Sequence, residues 1–370
     1  RPCNGFLQRT CSGAEISVPA ERRSVLSAVF VIRLTFSDVA DGKTADCCVV
    51  EYSYIGGGAM VKKVSIIICT YNRADSLATT LESILLVSVP LNWECEVLLV
   101  DNNSTDTTKA VVTAFIKNGF TSLRYIFEPQ QGLSFARNAG MRAAHGEIVV
   151  FTDDDVIVER DWLVELVKAF TEHDADCVGG KIKPVWPGKK PMWLSKRNEN
   201  ILAILDYDDD LREMGVGDEP LFGANFSFSK RILEKVGYFN TSLGRMGNKL
   251  YGSEDTEMFG RIFTAGGKVI YQPQAVVHHI LAPHRLKKSY FRKWHCDAGE
   301  GLGFSLGHYT KRNLWGVPYF YLHDTLKVFG RYIAALFTLQ SDKIFYQEQK
   351  LIFQLALIRS RLKVYAGSGF

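Results

Sequence analysis

The sequence predicts an α/β protein with a mostly parallel central sheet flanked by helices, followed by a helical, basic C-terminal extension. Three observations predict it. Short apolar runs alternate with amphipathic stretches between Val64 and Glu172, the pattern of strands joined by helical crossovers. The first run, Val64 to Cys69, is short and apolar and closes on a polar turn, as a strand buried on both faces does. Residues 281–370 instead combine aromatic and basic residues.

The elements follow in order. Val64-Ser65-Ile66-Ile67-Ile68-Cys69 is the first strand. Asp75 to Leu86 reads as a helix with Leu77, Leu81, Ile84 and Leu85 on one side and Asp75 near its N-cap. Glu96 to Val100 is the second strand, ending at Asp101, and Ser104-Thr105-Asp106 offers an N-cap for a helix through Lys117. Leu123 to Phe127 is the third strand, and Ser134 to Ala144 is helical. Glu147 to Thr152 is the fourth, running into Asp153-Asp154-Asp155, with a helix from Asp161 to Glu172 after it. In such sheets the ligand sits outside the carboxyl ends of the strands. Thr70-Tyr71-Asn72-Arg73, Asp101-Asn102-Asn103-Ser104 and Asp153-Asp154-Asp155 all fall at those ends. Three polar clusters at one sheet edge make a site.

The chemistry of that edge is acidic. A nucleoside diphosphate leaving group is anionic and calls for a divalent cation held by hard oxygen ligands, magnesium or manganese. Asp153 and Asp155 share side-chain parity at a strand end and can face one pocket; a solvated loop or a helix cap is the plainer use of such a run. Asp101 either accepts from a base or ribose or caps the next helix, and Tyr71 either stacks on a base or lies at the rim. Arg137 and Asn138, after Gly132, reach donor phosphates or serve the helix surface. Gly252-Ser253-Glu254-Asp255 precedes an amphipathic helix carrying Met258, Phe259, Ile262 and Phe263, so these acids either cap its N-terminus or supply a catalytic base. His278-His279 follow strand-like Val269-Ile270-Tyr271 and Ala275-Val276-Val277, where either histidine can complete a metal shell or be structural.

Composition narrows the classes. The sequence pI of about 8.5 is mild and does not imply nucleic acid as a partner. Residues 281–370 carry 14 Lys/Arg against 5 Asp/Glu, leaving a net −5 for the first 280 residues of a +4 chain. A basic tail behind an acidic body fits either a solvated face or contact with an anionic membrane surface. No CxxC pair occurs among the 8 cysteines, so neither a zinc site nor a disulfide framework is expected. No run of about 20 apolar residues is present, and Val25 to Phe36 is short and contains Arg33, so no spanning helix is expected. Residues 1–59 lack periodicity, and Gly56-Gly57-Gly58-Ala59 precede Met60-Val61-Lys62-Lys63 as translation of a purine-rich ribosome-binding site would. The expected organisation is a leader or upstream read-through over 1–59, a catalytic domain over 60–284 and an extension over 285–370.

Six segments in order, VSIIICTYNR, VLLVDNNSTD, GLSFARNAG, IVVFTDDDV, FGANFSFSK and GSEDTEMFGR, resemble the inverting glycosyltransferase family 2, from about Val64 to His284. The resemblance implies a GT-A fold and a hexosyltransferase-type enzyme using a nucleotide-sugar donor and Mn2+ or Mg2+. It implies that Thr70, Tyr71, Asn72 and Arg73 line the nucleobase side, and that Asp101, with Asn103 beside it, binds the base. Gly132, Arg137, Asn138, Asp153 and Asp154 fall on the donor side, and Asn225 on the sugar and acceptor side. Asp155 holds the metal with Asp153 and His279, the histidine six residues after Pro273. Asp255 is the general base and Glu254 shapes the acceptor side. Asn102 stands where many members have a second Asp. The uridine diphosphate sugar is the expected donor, and the acceptor a hydroxyl of a glycan or lipid carrier in cell-surface glycan synthesis. Peripheral contact with the inner face of the cytoplasmic membrane is expected through Tyr290-Phe291-Arg292-Lys293-Trp294, Trp315 to Tyr321, and helices around Val328 to Phe337 and Leu351 to Leu362. Packing of those helices on the catalytic part is the plainer reading. A nucleotidyltransferase lacks a Gly-rich triphosphate loop here, and a non-catalytic nucleotide-sugar-binding protein has no need of both acid sets.

Overall fold

The computed structural model describes residues 61–367 apart from residues 246, 248, 251 and 307–311, so the expectations for residues 1–59 and Met60 lie outside the described residues. The N-terminal half alternates as its hydrophobic pattern requires: β1 (Lys62–Thr70), α1 (Ala74–Leu85), β2 (Trp93–Asp101), α2 (Thr108–Lys117), β3 (Leu123–Phe127), α3 (Leu133–Ala143) and β4 (Ile148–Asp153). Then follow β5 (Val156–Val158), α4 (Trp162–His173), β6 (Cys177–Val185), β7 (Arg212–Glu213), β8 (Phe226–Ser229), α5 (Lys230–Val236), α6 (Glu254–Thr264) and β9 (Val269–Ile280).

These strands form one sheet in the order β3-β2-β1-β4-β8-β6-β9-β5, with β7 on β9. β1, β2, β3 and β4 pair in parallel. Beyond β4 the sheet is mixed, because β8 runs antiparallel to both β4 and β6, and β5 and β7 run antiparallel to β9. Helices cover the parallel part, which is why Ile66, Ile67 and Ile68 are fully buried on successive positions. Gly140 of α3 allows the closest of these contacts, since a Cβ there would lie 2.5 Å from Ile67 Cγ2.

The two short runs around Pro273 are one strand, β9. Its pairing with β6 jumps from Gly180↔Gln272 to Ile182↔Val277, and this irregularity absorbs the proline, which cannot donate to a ladder. Past the turn at Pro283–Leu286, α7 (Lys288–Ser305), the hairpin β10 (Asn313–Leu314) and β11 (Val317–Pro318), α8 (Tyr319–Leu336) and α9 (Ser341–Tyr365) complete the chain. α7 and α9 pack closely where a Cβ on Gly299 would meet Ala356 Cβ at 3.0 Å. A second apolar cluster joins them to the sheet side through Trp193, Phe291 and Phe345, with rings 5.1 and 4.8 Å from Trp193. Among the described residues no helix is long and apolar enough to cross a membrane.

Candidate active site

Register puts the polar clusters side by side. Thr70 pairs with Asp101 across β1 and β2, and Cys69 with Asp153 across β1 and β4, so three strand ends open on one edge. Above them lies a cavity of about 580 Å³, within the usual size of small-ligand sites. Thr70, Tyr71, Arg73, Gly132, Arg137, Asp153, Asp154, Asp155, Glu254 and Asp255 all line it. Strand ends and the start of α6, distant in sequence, therefore share one space.

At the strand end, Asp155 is buried among basic side chains. Arg73 donates to its Oδ2, Arg285 Nη1 stands 3.4 Å from the same oxygen, and His279 Nε2 stands 3.2 Å from Oδ1. Burial disfavours the charge, but His279, Arg73 and Arg285 together hold its carboxyl well below the usual range. Asp154 has the opposite balance. Burial pushes its carboxyl up to about 7, Arg73 opposes this from 3.6 Å, and neighbouring Asp155 adds to it.

The helix start carries the second set. Arg137 donates to Asp255 and, over 3.1 Å, to Glu254, while the rings of Phe239, Phe226 and Phe151 surround its guanidinium at 5.1, 5.2 and 6.0 Å. The Gly223 amide donates to the other Asp255 oxygen over 3.1 Å. Burial first, and then the Glu254 charge, push the Asp255 carboxyl up to about 6 although Arg137 pulls it down. Glu254 Oε2 is buried without a hydrogen-bond partner. Just before these acids Ser253 has φ +94, a left-handed backbone that a non-glycine residue adopts at a cost of about 1–3 kcal/mol. Cys69 also lines the cavity, but burial pushes its thiol up to about 12, which rules out a thiolate nucleophile near neutral pH.

Several expected site residues are placed elsewhere. Asp101 is buried, with Oδ1 accepting from the Ser104 amide at 2.8 Å and Oδ2 from the Tyr125 hydroxyl at 2.7 Å; these bonds brace the loop after β2 and the neighbouring strand and do not cap α2, which begins at Thr108. Asn72 and Asn103 lie in left-handed turns, at φ +52 and +67, and Asn72 Oδ1 accepts from the Thr105 amide at 2.7 Å to tie two loops together. Asn138 is clamped to the Phe239 backbone by bonds of 2.8 and 2.9 Å. Asn225 is fully buried and bonded to Trp162 Nε1, the Lys181 carbonyl and the Ala275 carbonyl at 2.8, 3.1 and 2.8 Å, which leaves its side chain nothing to offer a sugar. Arg137 does line the cavity, but with its Nη1 bonded to the acid pair.

Others enter unannounced. Asn102 bonds the Glu128 and Gln130 carbonyls and the Gly132 amide, shaping the loop that carries Gly132. Arg285 and Trp294, from beyond β9, line the cavity. Nothing local marks them, because a buried arginine in a basic tail reads as surface. The choice between the histidines is made by strand parity: on β9 their side chains alternate, so His279 is buried beside Asp155 while His278 bonds Glu159 at 3.0 Å on the other face. Among the described residues no three His, Cys, Asp or Glu side chains gather to hold a metal by themselves. Asp155 and His279, 3.2 Å apart, are the pair that could share a cation otherwise held by substrate phosphates.

Comparison with known proteins places the chain among glycosyltransferases. Residues 65–237 match the glycosyl transferase family 2 profile. The chain is 30% identical over 237 residues to the glucosyl-dolichyl phosphate glucuronosyltransferase of Haloferax volcanii, covering 60% of this chain and 71% of that one. It is 26% identical over 258 residues to the succinoglycan biosynthesis protein ExoM of Rhizobium meliloti, covering 69% and 79%. In structure it is similar to a mannosyltransferase of Pyrobaculum calidifontis solved with GDP-mannose and Mn2+, with TM-score 0.54 and 20% identity over 83% of this chain and 88% of that one. This last likeness speaks to the fold, a GT-A arrangement.

Proposed function

Because the chain belongs to glycosyltransferase family 2 and is a glycosyltransferase, we propose that it transfers a sugar from a nucleotide-sugar to a hydroxyl acceptor with inversion. One observation carries the reading: Asp155, held well below the usual carboxylate range by His279, Arg73 and Arg285, and Asp255, pushed up to about 6 by burial, line the same cavity. The acceptor hydroxyl oxygen attacks the anomeric carbon as the bond to the diphosphate oxygen breaks, and the diphosphate leaves with the electron pair. Asp255 takes the hydroxyl proton, within the reach of a base whose affinity lies near working pH. Arg137 holds that carboxyl in place, and Glu254 Oε2 is free to orient the acceptor.

Asp155 and His279 are the residues that would hold Mn2+ or Mg2+. When bound, such an ion neutralises charge on the departing diphosphate. Arg73 and Arg285 add fixed positive charge at the same corner. Uridine diphosphate is the donor nucleotide by family habit, while the Pyrobaculum neighbour holds GDP-mannose. The Haloferax relative, named for a glucosyl-dolichyl phosphate, and the basic tail support a lipid-carried acceptor at the cytoplasmic membrane face in surface glycan synthesis.

A panel of uridine, guanosine and thymidine diphosphate sugars with Mn2+, read by thermal stabilisation and then by NMR of the product, tests the reading. It expects one donor class to stabilise the protein and the product anomer to be inverted. A retained anomer overturns the mechanism, and no stabilisation by any donor overturns the site.

A further inference from the structure

The hairpin between α7 and α8 carries an unusual tip. β10 and β11 pair through Leu314↔Val317, leaving Trp315-Gly316 as a two-residue turn with φ +49 and +79. Two positive φ values are those of a type I′ turn, whose first position ordinarily takes Asn, Asp or Gly. A tryptophan there is a strained choice for so bulky a side chain. It does not gain burial by it, because Trp315 is 63% exposed. The turn itself is held firmly: the Asn313 side chain accepts from the Gly316 amide at 3.1 Å, and Arg361 donates to the Gly316 carbonyl at 2.9 Å. The fold fixes an indole outward.

The helix that follows leaves further apolar side chains exposed. On α8, Val328 and Ala335 are buried, while half-buried Leu322 and exposed Leu326, Phe329, Ile333 and Leu336 recur at spacings of four and three along another side. Leu326 is 71% exposed. Such a stripe fits either a bilayer interface or a matching helix, and charge separates the two. Lys327 and Arg331, with Asp324 the one acid of α8, line a pocket against α7 and α9 rather than the stripe, so the charge that counts is that of the whole stretch, 14 Lys/Arg and 5 Asp/Glu over residues 281–370. A second copy would bring like charges together, whereas anionic lipid headgroups complement them. Tryptophan and tyrosine also favour the headgroup level, where Trp315 and the exposed Tyr319 would sit.

We propose that the Trp315 tip and the apolar stripe of α8 form a docking face for an anionic bilayer, with α8 lying in the interface plane rather than crossing it. The inference rests on the membrane placement proposed above and is independent of the transfer chemistry. The test is flotation of the full chain with phosphatidylcholine vesicles, with and without phosphatidylglycerol, for wild type, Trp315→Ala and the Leu326→Glu/Ile333→Glu pair. Thermal unfolding and transfer to a soluble acceptor are measured alongside. The expected result is flotation of wild type on the anionic vesicles only, and at least ~10-fold weaker binding of both variants with folding and soluble transfer unchanged. Wild-type flotation matched by both variants overturns this face while leaving the membrane placement standing. No flotation of wild type overturns both. A dimer that the glutamate pair dissociates, without vesicle binding, assigns the face to a second copy and overturns the proposal.

Discussion

The two acid sets of the cavity are built from the same materials and behave in opposite ways. At the end of β4, Asp155 has Arg285 and His279 beside it and the nearer share of Arg73, and its carboxyl is held well below the ordinary range. At the start of α6, Asp255 and Glu254 divide one arginine, and burial pushes Asp255 up to about 6. The difference lies in cations per carboxylate, not in depth alone. Asp154 makes the same point within one cluster: it shares Arg73 with Asp155, holds it only at 3.6 Å, and sits at about 7. A carboxylate wholly neutralised by neighbours is fitted to standing charge, and one left short is fitted to moving a proton.

Breaking the first set should have the largest effect. Asp155→Ala leaves Arg73, Arg285 and His279 without their shared carboxylate, and breaking a buried pair from one side costs about 3–5 kcal/mol. Transfer should fall by roughly 10³-fold or more, with loss of any response to Mn2+, as measured by product formation and thermal unfolding. Next in size, Arg285→Met should weaken donor binding by roughly ten-fold, about 1.4 kcal/mol, in a calorimetric titration, with Arg285→Lys recovering part of it.

The comparison sharpens with pH. Asp255 is raised, so it is protonated and useless as a base at low pH; the rate should climb as pH rises through about 6. Because the Glu254 charge contributes to that rise, Glu254→Gln should move the acid limb of kcat to lower pH, which a shift upward would contradict. Smaller still for catalysis, Asn225→Ala should leave kcat within about two-fold yet lower stability by roughly 1–3 kcal/mol, since it strands the buried Trp162 Nε1 donor and two carbonyls.

Much of this was legible in the residues. The apolar runs place β1 to β4 within a few residues, and the parallel order brings Thr70, Asp101 and Asp153 to one edge because register follows from crossovers. The mixed half was not legible, since β5, β7 and β8 are three, two and four residues long and find their partners only in space. Individual roles were harder than positions. Asp101 and Asn225 have the right residue types at the right places, but their hydrogen bonds are consumed inside the fold. Arg137 reads as a phosphate ligand until its aromatic cage and acid partners are seen. Arg285 could be found only by knowing that the Pro283–Leu286 turn folds back on Asp155.

The division of labour between the two acid sets comes to a single variant. Asp255→Asn keeps the shape of the side chain and removes its ability to take a proton, while leaving Asp155, His279 and the arginines beside it untouched. Measured on one preparation, donor binding should stay within about two-fold and transfer should fall by roughly 10²–10⁴-fold, with the acid limb near pH 6 abolished in what activity remains. Transfer at the wild-type rate, or an unchanged limb near 6, would show that the proton goes elsewhere.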